Sequence, residues 1–164
     1  MEFFDAVVKR TSIRKYRQER IEPAVLEKIV DAGRRAPTAR AVEPWRFVVV
    51  TEKEKLAELS RLAPNGAFVK EAAAAIIVFC ADTKYYLEDG CAATENILLA
   101  AAACGLGACW IAGDKKDYAG EVAALFGAAQ DLKLISIVSL GYAAEEKQQK
   151  KNSALEQVMF REKF

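Results

Sequence analysis

The apolar residues of this chain recur in blocks whose spacing alternates between the period of a strand and the period of a helix. Short β-branched runs predict four strands, over residues 46–51, 75–81, 109–112 and 132–140. Apolar positions three and four apart predict helices over residues 3–10, 23–36, 53–62, 89–104 and 114–126. With an amphipathic segment at 155–160, the predicted order is α-α-β-α-β-α-β-α-β-α.

Residues that start or stop helices support these boundaries. Pro23 suits a first helical turn, and Pro37 ends the same helix because the residue before a proline avoids the α region. Gly105 suits the left-handed position after a helix, and Asp114 is a candidate N-cap. The Pro-Asn-Gly run at 64–66 predicts a turn.

The strand at 75–81 is apolar throughout, so we expect both faces of the sheet to be covered by helices. No repeat or flexible linker divides the chain, which predicts a single domain over residues 1–164. The apolar segment at 155–160 follows the polar stretch 145–153. It either reaches a partner subunit or packs on its own domain.

Charge and composition narrow the class of function. Lys plus Arg is 24 and Asp plus Glu is 23, so the net charge is +1, which gives no reason to expect nucleic acid or an anionic membrane as partner. The longest apolar run is too short to span a bilayer. A local basic cluster can still hold a small anion.

The chain has no histidine, so Ser-His-Asp and Cys-His catalysis and His-ligated metals are excluded, and we expect no metal site. The four cysteines form no C-x-x-C pair and two of them lie in apolar runs, which predicts free, buried thiols. The opening residues lack a signal-peptide pattern, so we expect the reducing cytoplasm.

Residues 9–15 combine four cations with the hydroxyls of Thr11 and Ser12. Arginine holds a phosphate through two parallel hydrogen bonds and hydroxyls add more, so this segment is a candidate phosphate site. The alternative is a solvated basic loop.

Two further segments are candidates for ligand binding. Residues 36–46 carry two prolines that stiffen a connection between a helix and a strand, and Trp45 is either a core anchor or a stacking surface. Residues 105–113 are glycine-rich but do not match G-x-G-x-x-G. Gly113 could admit a flat ligand close to the backbone; the alternative is a tight turn between a helix and a strand.

Taken together, these three segments resemble the nitroreductase family of FMN-dependent oxidoreductases. Residues 10–16, RTSIRKY, resemble its opening motif, basic–x–Ser–x–basic before an aromatic residue. Residues 36–47, APTARAVEPWRF, resemble Ala-Pro-Ser-x-x-Asn-x-Gln-Pro-Trp-x-Phe, and 89–113 resemble the central helix followed by Gly-Leu-Gly-x-x-x-Ile-x-Gly. The resemblance covers nearly the whole chain, at the short end of the family without an inserted helical lid.

The resemblance implies an α+β fold with a central mixed sheet of four to five strands, covered by helices on both faces. It also implies an interlocked homodimer with FMN at the interface. The implied reaction is ping-pong hydride transfer from NADH or NADPH through flavin N5 to a nitroaromatic, a quinone or a related small acceptor. No side chain would act as a catalytic residue, since the cofactor carries the chemistry.

The resemblance also assigns residues to the two ends of the cofactor. Arg10 and Ser12 would hold the phosphate, and Arg14 would face the N1/O2 edge of the ring. Lys150 or Lys151 would be the C-terminal partner of the phosphate.

Around the ring, Pro37, Thr38 and Ala39 would come from the other subunit and pack on its face. The backbone N–H groups near Ala112 and Gly113 would reach toward N5.

Asn65 and Lys70 would lie near the pyrimidine edge of the ring. Three positions depart from the family pattern: Thr38 stands for Ser, Ala41 for Asn, and Glu43 for Gln at a ring that becomes anionic on reduction. The C-terminal phosphate-binding Arg has no clear counterpart. These departures keep two alternatives open, a flavin-binding reservoir or sensor without robust turnover, and a dimeric interaction module that has lost flavin.

Overall fold

Four strands form one sheet in the order β1-β2-β4-β3, which leaves β1 and β3 at its two edges. The computed structural model describes residues 1–164. The strands are β1 Trp45–Val50, β2 Ala74–Ala81, β3 Gly107–Ala112 and β4 Leu132–Gly141. The helices are α1 Phe3–Lys9, α2 Pro23–Gly33, α3 Lys53–Leu62, α4 Tyr86–Ala103 and α5 Ala119–Leu125. Short 3-10 helices span Ala39–Ala41, Pro64–Glu71 and Leu155–Gln157.

Alternation along β2 divides the core into two layers, because successive strand residues point to opposite faces. Ile76 and Val78 pack with α2 and α4 on one face, which we call the α4 face. Ile77 and Phe79 pack with α3, the Pro64–Glu71 helix and α5 on the other, which we call the α3 face. The expectation that helices cover both faces is confirmed.

The predicted mixed sheet is wrong in strand direction, since all three strand pairings are antiparallel. The only parallel contact is an isolated bridge between Ser12 and Ala108 at the free edge of β3. The apolar sequence of β2 correctly predicted that both of its faces are buried. It contains no information about whether the neighbouring strands run parallel or antiparallel to it.

Two predicted segments near chain turns need correction. The helix predicted from residue 114 begins only at Ala119, and residues 114–118 form turns instead. Asp114 is not an N-cap, because its carboxylate accepts a hydrogen bond from the Tyr86 hydroxyl at 3.0 Å. The 155–160 segment is a single 3-10 turn whose apolar side chains are exposed, so it does not pack on its own domain.

Helix α4 ends in the geometry that Gly105 predicted. Gly105 adopts φ +76°, its N–H donates to Ala102 O, and the N–H of Leu106 donates to Ala101 O. This Schellman arrangement satisfies the last carbonyls of the helix and turns the chain directly into β3.

The buried residues follow the sequence predictions only in part. Trp45 is buried in the core on the α4 face, which confirms its interpretation as an anchor. All four cysteines are free, but Cys91 and Cys104 are only partly buried, so the prediction of buried thiols holds for Cys80 and Cys109 alone. Burial raises the pKa of the Cys80 thiol to about 12. None of the helices is long and apolar enough to cross a membrane.

Candidate functional site

Residues 10–16, here called the basic segment, cross the start of edge strand β3. The N–H of Ile13 donates to Ala108 O at 2.9 Å, which fixes Ser12 beside the strand. A Cβ at Gly107 would lie 2.8 Å from Ile13, so only glycine permits this crossing. Tyr16 anchors the far end, because its buried hydroxyl lies 2.6 Å from Ile13 O and 2.7 Å from Ser139 Oγ. Burial raises the pKa of this phenol.

The polar stretch after β4 holds the basic segment from outside. Glu145 Oε1 accepts hydrogen bonds from the N–H groups of Arg14 at 2.7 Å and Lys15 at 3.2 Å, and these bonds lower the pKa of Glu145. Lys147 Nζ donates to Ser12 O at 3.1 Å. The Gln149 amide donates to the carbonyl of Arg10 at 2.7 Å.

The cations of this region converge on one edge of the sheet. The Arg14 guanidinium lies 5.8 Å from the centre of the Phe68 ring, on the α3 face. Arg10 pairs with Glu95 only at 3.9 Å, which leaves its hydrogen-bonding capacity largely free. A cavity of about 430 Å³ opens beside it, lined by Arg10, Thr11 and Lys147 among others. The arrangement is that of an anion site.

Residues 37–43, here called the proline loop, are held by a buried carboxylate. Asp89, 5% exposed in the first turn of α4, accepts bonds from the Thr38 hydroxyl at 2.8 Å and from the Ala39 N–H at 3.0 Å. The Thr38 hydroxyl in turn accepts the N–H of Glu43 at 3.1 Å.

The backbone of the proline loop is strained. Arg40, Ala41 and Glu43 all adopt left-handed conformations, with φ of 58°, 53° and 50°. Such conformations cost non-glycine residues roughly 1–2 kcal/mol each, so the hydrogen bonds of Asp89 offset a substantial penalty. Asparagine tolerates this region better than alanine does, which gives a backbone reason for the Asn that the resemblance expected at position 41.

Edge strand β3 presents backbone groups outward beyond the basic segment. Gly113 N–H already donates to Ile135 O at 3.0 Å, within the sheet. Because hydrogen-bonded and non-hydrogen-bonded pairs alternate in an antiparallel ladder, the N–H of Ala112 points away from β4, as do the backbone groups of Ala108. Of the two predicted amides, that of Ala112 faces the open edge, and its carbonyl accepts the Tyr118 hydroxyl.

One chain brings some predicted site residues together and separates others. Arg10, Thr11, Ser12 and Arg14 gather at β3 with Ala112 further along the same edge. The proline loop lies on the α4 face through its bonds to Asp89, whereas Arg14 lies on the α3 face over Phe68.

The remaining predicted residues are exposed and make no recorded side-chain hydrogen bond. Asn65 and Lys70 belong to the same 3-10 helix as Phe68, so they lie on the Arg14 side of the sheet. Lys150 and Lys151 directly follow Gln149, whose amide donates to the Arg10 carbonyl, but neither lysine makes a side-chain hydrogen bond or an ion pair.

Four residues at these sites were missed from the sequence. Lys147 contacts Ser12, whereas the resemblance points to Lys150 or Lys151. In the sequence, Asp89 indicates only the start of a predicted helix. No local signal marks Glu145 or Gln149, because each acts on a residue more than 130 positions away.

A larger groove of about 1190 Å³ lies between α2 and β1 and contains none of the predicted site residues. No three His, Cys, Asp or Glu side chains are arranged to hold a metal ion. Most of the predicted anion-binding and ring-binding groups therefore lie at the β3 edge.

Comparison with known proteins agrees with this geometry. The model described as "Nitroreductase family" matches residues 7–89 and 81–142. The chain belongs to the nitroreductase family. The matched residues include the basic segment, the proline loop and all four strands, so the resemblance drawn from the motifs is confirmed.

Individual nitroreductase relatives span most of the chain. A Methanothermobacter thermautotrophicus protein, provisionally named NADH dehydrogenase/NAD(P)H nitroreductase, is 36% identical over 88% of this chain and 79% of its own. The NADPH-flavin oxidoreductase of Vibrio harveyi is 28% identical over 84% and 64%. The structure of an FMN-dependent nitroreductase from Clostridium difficile superposes with a TM-score of 0.89 at 32% identity, covering 95% of this chain and 96% of that one.

Proposed function

We propose that this protein is an FMN-dependent oxidoreductase that takes electrons from NADH or NADPH and passes them to a small acceptor such as a nitroaromatic or a quinone. One observation carries the proposal: a basic segment with Arg10, Ser12 and Arg14 lies along an open strand edge on which the amide of Ala112 points outward. The family and the names of its flavin-using relatives support the same activity.

The residues present fit FMN in charge and in spacing. Arg10, Ser12 and Lys147 form a cationic, hydroxyl-bearing end suited to a phosphate. Ala112 lies four strand residues beyond Ala108, about 13 Å further along the edge at ~3.3 Å per residue. A ligand with a phosphate at one end and a flat ring at the other suits such an edge.

Bound FMN would supply the chemistry, a two-electron transfer from the nicotinamide to the acceptor in a ping-pong sequence. Arg10, Ser12 and Lys147 would hold the phosphate. Arg14 would stabilise negative charge at the N1/O2 edge, since a fixed cation there favours the anionic reduced ring. The Ala112 N–H would donate at N5 and keep the ring edge aligned.

We further propose a homodimer in which the proline loop of one copy packs on the ring held by the other. The placement of Arg14 on the α3 face and of the proline loop on the α4 face of one chain supports it. Two exposed apolar surfaces also support it: Phe4 of α1 is 79% exposed and Phe160 of the tail is 53% exposed. Monomers rarely leave such patches open.

The free cysteines support a reducing compartment, the cytoplasm, as the location of the protein.

The test begins with the visible spectrum of the purified protein after addition of FMN and desalting. We expect a retained flavin spectrum that NADH or NADPH bleaches without oxygen and that a quinone or nitroaromatic restores. Light scattering should give the mass of two chains. Arg14→Ala should weaken FMN binding or slow reduction. Absence of retained flavin in the wild type, or an Arg14→Ala variant that binds and reduces FMN normally, would refute the assignment.

A further inference from the structure

The proline loop depends on a single buried carboxylate, to which neither the sequence nor the proposed function assigns a role at the cofactor site. Asp89 is 5% exposed and makes both of its hydrogen bonds to this loop, to the Thr38 hydroxyl and the Ala39 N–H. Through Thr38 the link extends to the N–H of Glu43, so one carboxylate closes the loop at both ends.

Three left-handed residues lie inside this closed loop, at Arg40, Ala41 and Glu43. Left-handed backbone at non-glycine positions persists only where its surroundings enforce it. Apart from two 3.4 Å backbone hydrogen bonds within its own 3-10 turn, the loop is held by the bonds of Asp89 and by the packing of Trp45 beyond it. A preformed but strained loop suits a surface that must meet a flat ligand in one conformation.

We propose that Asp89 is a positioning residue for the cofactor, acting through Thr38 on the proline loop and so on the FMN site of the partner subunit. The inference rests on the proposed function, because it requires FMN at the interface. It assigns to α4 a role beyond packing: the first turn of the helix sets the shape of the surface offered to the ring.

The first test compares FMN dissociation constants and thermal stability of single variants. Asp89→Asn keeps the volume but can accept only the bond from the Ala39 N–H. Its amide nitrogen would face the Thr38 hydroxyl, whose proton would then lose its acceptor. We expect it and Thr38→Val each to weaken FMN roughly tenfold or more and to alter the visible bands of the bound flavin. Thr38→Ser, which keeps the hydroxyl, should recover most of the affinity lost in Thr38→Val.

The matched control is Thr94→Val, one and a half turns further along the same helix. Thr94 is fully buried and bonds Gly90 O at 2.7 Å and Ser136 Oγ at 2.9 Å, with no link to the loop. Its variant should lose thermal stability while its FMN dissociation constant stays within about twofold. If Asp89→Asn behaves in the same way, its role is only structural and the inference is overturned.

Coupling between the two residues gives a second test. If Asp89 acts through Thr38, the double variant Asp89→Asn/Thr38→Val should bind FMN about as weakly as either single variant. Multiplied losses would show that the residues act independently and would overturn the inference.

Mixed dimers test action across the interface. Co-expression with two affinity tags gives dimers of one Arg10→Ala subunit and one Asp89→Asn subunit. If the loop serves the partner, both defects fall in one site and the other site titrates with the wild-type dissociation constant. If both sites are weakened, the loop serves its own chain and the inference is overturned.

A wild-type protein that takes up no FMN refutes the proposed function itself, whereas wild-type binding with an unaffected Asp89→Asn variant overturns only this inference.

Discussion

The basic segment and the proline loop face the same chemistry but are held in opposite ways. The basic segment lies on the sheet edge with mostly ordinary backbone. It is fixed by a backbone bond to β3, by the buried Tyr16 and, from outside, by Glu145 and Lys147. The proline loop is exposed and strained and is fixed by one buried carboxylate, Asp89. Exposed contacts are weak, numerous and sensitive to salt, whereas a buried contact is single and decisive. We therefore expect the basic segment to tolerate the loss of one outer support better than the proline loop tolerates the loss of Asp89.

The largest effect separates binding cations from supporting ones within the basic segment. Arg10→Ala removes charge-assisted hydrogen bonds to the phosphate, worth about 1.5–3 kcal/mol, so the FMN dissociation constant should rise roughly 10- to 150-fold. Lys15→Ala removes an exposed cation from the same segment and should change it by less than about threefold. Fluorescence titration of FMN measures both. Equal losses would mean that the segment acts through its total charge and not through directed contacts.

Sequence patterns predicted most of the fold because each element is specified by residues near one another in the chain. The four strands, the Schellman end of α4 at Gly105 and the buried Trp45 are of this kind. The late start of α5 is different, since Asp114 bonds Tyr86, 28 positions away, and not its own helix.

The two halves of the site also differ in whether the nearby sequence reveals their functional residues. The basic segment stands out by its own composition, so Arg10, Ser12 and Arg14 could be chosen directly. The lysine that supports it could not, because three lysines within five residues are equivalent until the chain is folded. Asp89 gave no signal either, since an acidic residue in a first helical turn is ordinary.

The choice among those lysines yields the next prediction. Lys147 bonds the Ser12 carbonyl and would form one exposed ion pair with the phosphate, so Lys147→Ala should weaken FMN binding about three- to fivefold. Lys150→Ala and Lys151→Ala should each have a smaller effect, since neither side chain contacts the segment. The difference should shrink in high salt. A larger loss from Lys150→Ala or Lys151→Ala would return the phosphate partner to the position first expected from the sequence.

Relieving strain in the proline loop should produce a gain. Ala41→Asn places a residue that tolerates left-handed backbone at φ 53° and should stabilise the protein by roughly 0.5–1 kcal/mol, or about 1–4 °C in Tm. Ala24→Asn, at an exposed position inside α2 with helical backbone, is the control and should not raise Tm. Thermal unfolding measures both. A destabilised Ala41→Asn protein would show that the loop is not limited by its backbone.

The smallest effect tests whether exposed bonds make the basic segment sensitive to pH. Its hydrogen bonds hold the pKa of Glu145 below the ordinary value of 4.5, so the carboxylate stabilises the fold fully above about pH 4.5 and loses this contribution as the pH falls through the lower folded value. Glu145→Gln should therefore lower Tm by about 1 °C near neutral pH, with the difference vanishing in acid. Glu146→Gln, with no such bonds, should show no pH-dependent difference. A Glu145→Gln deficit that persists in acid would mean that Glu145 supports the segment through packing and not charge, and the contrast with the buried Asp89 would lose its electrostatic basis.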